Sequence, residues 1–132
     1  MQSRTIKYLD TSQLYSWMKR GAPEPFQVID VRGSDYKGGH IKGGWNYPCR
    51  NFPDSITELT ARLNEKRRLS GCTVINVVFH CARSQQRGPR SAMMFLKDLP
   101  QADLTNFNVY VLRGGFNHWK SVYGRDSTVT ED

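Results

Sequence analysis

Cysteine is scarce in this sequence: Cys49, Cys72 and Cys81 are three among 132 residues, an odd number without the paired short spacings of a zinc site. That argues against a disulfide framework and against a bound metal, and it fits a reducing compartment. No stretch approaches the roughly 18 consecutive apolar residues of a membrane span, and the first residues lack the apolar segment of a signal peptide. The expectation is a soluble protein of the cytoplasm or nucleus with no membrane contact. Internal repeats and long charge runs are missing too. The net charge of +7 comes from 19 Lys and Arg against 12 Asp and Glu, yet the basic residues are dispersed. Their longest cluster, Lys66, Arg67 and Arg68, falls near a helix end, where cations complement the dipole. Nucleic acid is therefore not expected as a partner, and the charge favours phosphorylated or other anionic substrates.

What the chain does have is apolar runs of alternating period. Residues 6–9 suit a short strand, and Asp10, Thr11 and Ser12 are N-cap candidates for a helix with Leu14, Trp17 and Met18 on one face, ended by Gly21 and Pro23. Residues 26–31 read as a second strand that closes on Asp30 and Arg32. The glycine-rich passage 33–48 holds too many turn formers for a long helix and suits one helical turn at 34–37. Ser55 with Glu58 has the spacing of a capping box ahead of Ile56, Leu59 and Leu63, a helix reaching about Leu69 and broken by Gly71. Residues 108–112 suit another strand, and Arg113-Gly114-Gly115 turns into a last helix with Phe116, Trp119, Val122 and Tyr123 inward. From Gly124 the chain is polar and is expected to be loose. Alternating strands and helices in 132 residues predict a single α/β domain, residues 1–132, with a central parallel sheet flanked by helices and a ligand site at its carboxyl edge.

The stretch 74–99 organises the rest. Its apolar run 74–79, interrupted by Asn76, has the β-branched, non-alternating character of a strand covered on both faces. From Pro89, the residues Ala92, Met93, Phe95, Leu96 and Leu99 recur at helical spacing, with Pro100 just beyond. Between strand and helix stand His80 and Cys81, then Ala82, Arg83, Ser84, Gln85 and Gln86, then Arg87 and Gly88. A loop that closes onto a helix N-terminus turns successive backbone N–H groups toward one point, and the helix dipole adds positive charge there. Such a cup binds an anion, and a thiol at its edge is expected to ionise more readily than a free one. Cys81 is the expected nucleophile, and Arg87, a planar fork with fixed charge, the expected clamp on two oxygens of an oxyanion.

These residues resemble a known family. The sequence from His80 to Pro89 looks like the active-site loop of the rhodanese-fold M-phase inducer phosphatases, which carry His-Cys, a Ser at the position of Ser84, and Arg-Gly-Pro. Ile29-Asp30-Val31-Arg32, the passage from Tyr36 to Pro48, and Val111 to Phe116 resemble the same family's second strand and turn and its late strand and turn. In length the chain is most similar to the small fungal members, which include phosphatases and arsenate reductases. The resemblance implies a rhodanese-like domain in which Cys81 forms a phosphocysteine, the amides of 82–86 and Gly88 with Arg87 hold the oxygens, and water hydrolyses the adduct. A loop with five residues between Cys81 and Arg87 suits phosphate or arsenate, whereas typical sulfurtransferases have a shorter one. The sequence departs from the larger phosphatases at Ala82 and Gln86, where they carry glutamates, and at Val31, where they carry a backup cysteine.

Three functions compete: a phosphatase of the phosphotyrosine or dual-specificity class acting on a phosphorylated protein, a glutathione-dependent arsenate reductase using the same loop, and a rhodanese module that only docks phosphoprotein. The phosphatase needs no cofactor; the reductase needs glutathione as co-substrate. A monomer or weak homodimer is expected. Among the remaining residues, His80 is expected to orient the loop and support the thiolate by hydrogen bonding. His40, Asp30 and Arg32 are expected to be structural, His118 solvated, and Cys49 and Cys72 ordinary packing residues. Arg83 and Arg90 are expected at the surface, and Arg113 at the border of the cup.

Overall fold

A computed structural model describes residues 5–132. Strand β1 (Ile6–Leu9) leads into helix α1 (Thr11–Arg20) and strand β2 (Phe26–Asp30). A single 3₁₀ turn, Ser34–Tyr36, precedes two short strands, β3 (His40–Ile41) and β4 (Trp45–Asn46). Helix α2 (Phe52–Leu69), strand β5 (Ile75–His80) and helix α3 (Arg87–Asp98) follow. A 3₁₀ stretch, Gln101–Asn106, leads to strand β6 (Phe107–Leu112), helix α4 (Gly115–Tyr123) and strand β7 (Thr130–Glu131). The main sheet runs β1-β6-β5-β2-β4 with every neighbouring pair parallel.

β5 lies at the centre of this sheet and all six of its residues are buried, as a strand covered on both faces requires. Its pleat divides the core. Ile75, Val77, Phe79 and then Cys81 belong to a cluster with Phe52, Leu59, Leu63, Phe95 and Leu96, against helices α2 and α3. Val78 belongs to the opposite cluster with Leu14, Phe116, Trp119 and Val129, against α1 and α4. Asn76, the one polar residue in the apolar run, is satisfied across the sheet, where its Oδ1 accepts from Asn108 Nδ2 at 3.0 Å. Within the first cluster, Phe52, Phe79, Phe95 and Phe107 make edge or tilted ring contacts at 5.4–5.8 Å between centroids. Each fully buried ring of this chain is worth roughly 1.5–3 kcal/mol of transfer free energy.

Several sequence expectations are corrected. Helix α2 begins at Phe52 with Pro53 in its first turn, so Ser55 is not an N-cap; its Oγ donates to Asn51 O at 3.1 Å instead. Proline's fixed φ suits a first helical turn, which starts the helix earlier than the Ser55–Glu58 spacing suggested. Glu58 accepts from the Tyr47 hydroxyl at 2.7 Å. Val122, expected inward, is 54% exposed, and Met93, at helical spacing with the other apolar residues of α3, is 63% exposed. The buried faces follow Gly88, Ser91, Ala92, Phe95 and Leu96 on α3 and Phe116 and Trp119 on α4, and each exposed residue falls off its helix's buried stripe. The residues from 124 onward are not loose: β7 pairs antiparallel with β3, Val129 is fully buried, and Trp119 Nε1 donates to Thr130 Oγ1 at 2.8 Å. Among the described residues no helix is long and apolar enough to cross a membrane.

Candidate active site

Cys81 directly follows β5 and is 3% exposed. The chain then loops through 82–86 and enters α3 at Arg87, which puts Pro89 in the first turn of the helix. Gln86, the N-cap, makes no side-chain capping bond, and the first turn holds no acidic residue. No side-chain cap and no acidic residue therefore offset the partial positive charge of the first amides of this 12-residue helix. One of them, Gly88 N–H, donates to Cys81 Sγ at 3.3 Å. A cavity of 390 Å³ is lined by Cys81, Ala82, Arg83, Gln85, Gln86 and Arg87.

The loop owes its curl to a left-handed residue. Ser84 sits at φ 54°, where a side chain is uncommon, and its Oγ is buried without a hydrogen-bond partner among the described residues. It is not among the cavity-lining residues, so the loop's serine is turned inward rather than toward the anion site. The loop is also tied from the other side. Cys81 O and Ala82 O accept from Phe116 N and Asn117 N of α4 at 2.9 and 2.8 Å.

His80 is fully buried, and its Nδ1 lies 3.0 Å from Cys81 O. A carbonyl only accepts, so Nδ1 carries the proton in this contact. His80 thus orients the peptide of Cys81, but the support given to sulfur comes from the Gly88 amide, not from the imidazole as the sequence suggested. Burial pushes the His80 pKa below its ordinary value, outweighing the opposing pull of Asp30. Its Nε2 is 3.7 Å from Asp30 Oδ2 and makes no hydrogen bond among the described residues.

Asp30 is occupied by Arg32, whose Nη2 donates to Oδ2 at 2.7 Å and whose Nε donates to Oδ1 at 3.0 Å, both side chains being buried. Two further guanidinium hydrogens, on Nη1 and Nη2, reach Asp35 O at 3.0 Å and Gly39 O at 2.8 Å, and the group lies 4.3 Å from the centroid of the Phe116 ring. Asp30 and Arg32 are structural, as expected, and they hold the turn that follows β2.

Arg87 is not free in the cup. Its Nη1 and Nη2 donate to the two carboxylate oxygens of Asp35 at 3.0 and 2.8 Å. This hydrogen-bonded pairing raises the Arg87 pKa, and the same guanidinium holds Asp35 below the usual carboxylate range. Asp35 was not singled out in the sequence. The available signal was a carboxylate in the turn after a strand that pairs directly with β5.

Other residues fall around the site or away from it. Arg83 is exposed and lines the cavity, while Arg90 is exposed on α3 and does not. Arg113, expected at the border of the cup, turns instead to Asp10 at 2.9 Å and lines a separate cavity with Thr11, Ser12 and His118. His40 bonds Glu131 at 3.0 Å and stacks on Tyr36. Cys49 packs against the core with its N–H on Val31 O, and Cys72 borders a cavity at the amino ends of the strands. All three cysteines are free thiols, and no metal-holding cluster of His, Cys, Asp or Glu exists among the described residues.

The geometry therefore supplies a sulfur at an uncapped helix terminus, a guanidinium, and no carboxylic acid on the loop itself. Comparison with known proteins gives the family. The family model of the rhodanese-like domain matches residues 10–122. The "CDC25-like phosphatase YCH1" of Saccharomyces cerevisiae is 51% identical over 132 residues, covering 95% of this chain and 88% of its own. "Arsenical-resistance protein 2" of the same yeast is 30% identical, covering 88% and 89%. The solved structure of Ygr203w, described as a yeast protein tyrosine phosphatase of the rhodanese family, superposes with a TM-score of 0.90 at 50% identity, over 95% of this chain and 91% of that one. With a five-stranded parallel sheet, helices on both faces and the loop at its carboxyl edge, this chain belongs to the rhodanese family.

Proposed function

We propose that this protein is a cysteine-dependent phosphatase of the phosphotyrosine or dual-specificity class. The observation that carries the reading is Cys81 Sγ beside the uncapped amino end of α3, with Gly88 N–H on the sulfur and Arg87 in the wall of the same cavity. The thiolate of Cys81 attacks phosphorus in line with the ester oxygen, the S–P bond forms and the P–O bond breaks. Loop amides and Arg87 hold the three equatorial oxygens, whose charge grows in the transition state. Water then attacks phosphorus, the S–P bond breaks, and inorganic phosphate leaves with the thiolate restored. No metal or organic cofactor enters this scheme.

Ala82 and Gln86 place no proton donor on the loop, which shapes the substrate class. An aryl leaving group departs without full protonation, whereas an alkyl alkoxide does not. The reading therefore favours aryl phosphates such as phosphotyrosine, in the cytoplasm or nucleus, presented by a phosphorylated protein to a monomer or weak homodimer.

A second reading is arsenate reduction, supported by the 30% identity to the arsenical-resistance protein and by the missing acid. Cys81 displaces an oxygen of arsenate as water, and glutathione then attacks the cysteine sulfur. The two thiols are oxidised to a mixed disulfide while As(V) becomes As(III), and a second glutathione restores Cys81. One purified sample assayed in parallel separates the readings. Aryl-phosphate hydrolysis without glutathione supports the phosphatase, glutathione-dependent arsenite release without hydrolysis supports the reductase, and activity in neither leaves a docking module.

A further inference from the structure

The turn after β2 delivers a carboxylate to the clamp, and it does so from the core. Buried Arg32, fixed by Asp30, grips the turn at Asp35 O and Gly39 O. Asp30 is in register with His80 in the neighbouring strand, and His80 fixes the peptide of Cys81. The nucleophile and the carboxylate are therefore both referenced to one buried ion pair. Asp35 itself is exposed, and its side chain projects back to Arg87, 52 positions away, through both oxygens.

We propose that Asp35 is a positioning residue for the oxyanion reaction: it holds the Arg87 fork by the edge formed by Nη1 and Nη2, so that the other edge serves the substrate. This rests on the reading of Arg87 as the clamp. The guanidinium carries five N–H groups in one plane, and Asp35 takes two. Nε–H and the second hydrogen of Nη2 share the adjacent edge and have no other partner among the described residues. A tetrahedral oxyanion can thus meet two parallel N–H groups without displacing the carboxylate. A partly exposed ion pair contributes little to stability, so the pairing acts through orientation: a fork already fixed in place loses less freedom when the transition state forms. Because Arg87 keeps Asp35 ionised, Asp35 is not the missing proton donor.

The test uses Asp35→Ala, Asp35→Glu, Arg87→Lys and the double variant Asp35→Ala with Arg87→Lys. For aryl-phosphate hydrolysis, kcat falls about 10- to 100-fold in Asp35→Ala with KM changed less than about 3-fold, and Asp35→Glu recovers most of the loss. In the Arg87→Lys background the alanine change costs less than about 2-fold, because no fork is left to orient. An unchanged or raised kcat/KM in Asp35→Ala would mean that the carboxylate merely competes with substrate, and a full loss in the Arg87→Lys background would mean that it acts elsewhere; either result overturns the proposal. Protection of Cys81 from iodoacetamide by vanadate and by inorganic phosphate gives a readout that needs no turnover. The ratio of vanadate to phosphate affinity falls about 10-fold in Asp35→Ala, and an unchanged ratio overturns the proposal. Wild-type protein inactive on aryl phosphate would defeat the phosphatase reading alone, and the vanadate ratio would still decide the role of Asp35.

Discussion

Gly88 N–H points at Cys81 Sγ across 3.3 Å, joining the first turn of α3 to the end of β5 at the sulfur. The approach is close enough that a Cβ on Gly88 would lie 3.2 Å from His80 Cα and 3.3 Å from Cys81 N. Strand and helix meet with no side chain between them, and the amide reaches the sulfur for that reason.

Cys81→Ser keeps the shape of the side chain at a slightly smaller volume and removes the thiolate nucleophile. Turnover of an aryl phosphate should fall more than about 10³-fold while the melting temperature moves little. Retained activity in this variant, measured on protein with native circular dichroism, would sink the thiolate mechanism.

Arg87→Lys replaces a planar fork with a point charge, which keeps the charge and loses the paired contact. A loss of about 10²–10³-fold in kcat is expected, at constant fold. A normal rate would remove Arg87 from the site.

Gly115 is at φ 62°, and a Cβ there would meet Ala82 O and Cys81 O, each at 2.6 Å. Gly115→Ala should therefore cost about 3 kcal/mol or more, with loss of activity, because the added atom presses on the loop's own carbonyls. Gly71 has φ 71° but open space around it, so Gly71→Ala is the control and should cost about 1 kcal/mol through backbone strain alone. Chemical denaturation of both variants checks the contrast.

His80 carries a signature in the pH dependence of stability. Its folded pKa lies below the ordinary histidine value, so between the two values the unfolded chain binds a proton that the folded one refuses. Stability contributed by neutral His80 is complete above about pH 6.5 and declines as pH falls below it, by at most about 1.4 kcal/mol per pH unit. His80→Asn should be less stable at pH 7 and show a shallower decline between pH 7 and 5. An identical slope in both proteins would assign the decline to other groups.

Thr130 accepts from Trp119 Nε1 at 2.8 Å and donates to Tyr123 O at 2.9 Å. Thr130→Val leaves the buried indole N–H without its acceptor, and a loss of about 1–3 kcal/mol is expected in urea titration. A neutral result would return the segment after Gly124 to the loose state that its polarity suggests.

The sheet's centre was legible because burial on both faces leaves a plain mark on composition: 74–79 reads as strand without any neighbour in view. The anion loop was legible because strand, small polar residues and helix occur in one continuous stretch. Asp35 and β7 were not, since both derive their meaning from residues far away in sequence. An aspartate in a glycine-rich turn looks like turn chemistry until Arg87 is placed opposite it. Two-residue strands such as β3, β4 and β7 are too short to show a period, and a valine and threonine in a polar stretch do not announce that Trp119 covers them.

Strand β7 has a consequence for synthesis. It fastens the outer side of the turn that carries Asp35, through the β3 pairing and the contact between His40 and Glu131, which are 91 positions apart. At elongation rates of 5–20 residues per second, roughly 5–20 s separate the appearance of these two partners. A nascent chain acquires its thiol and its anion loop about midway through that interval, and the turn that orients the guanidinium is locked only at its end.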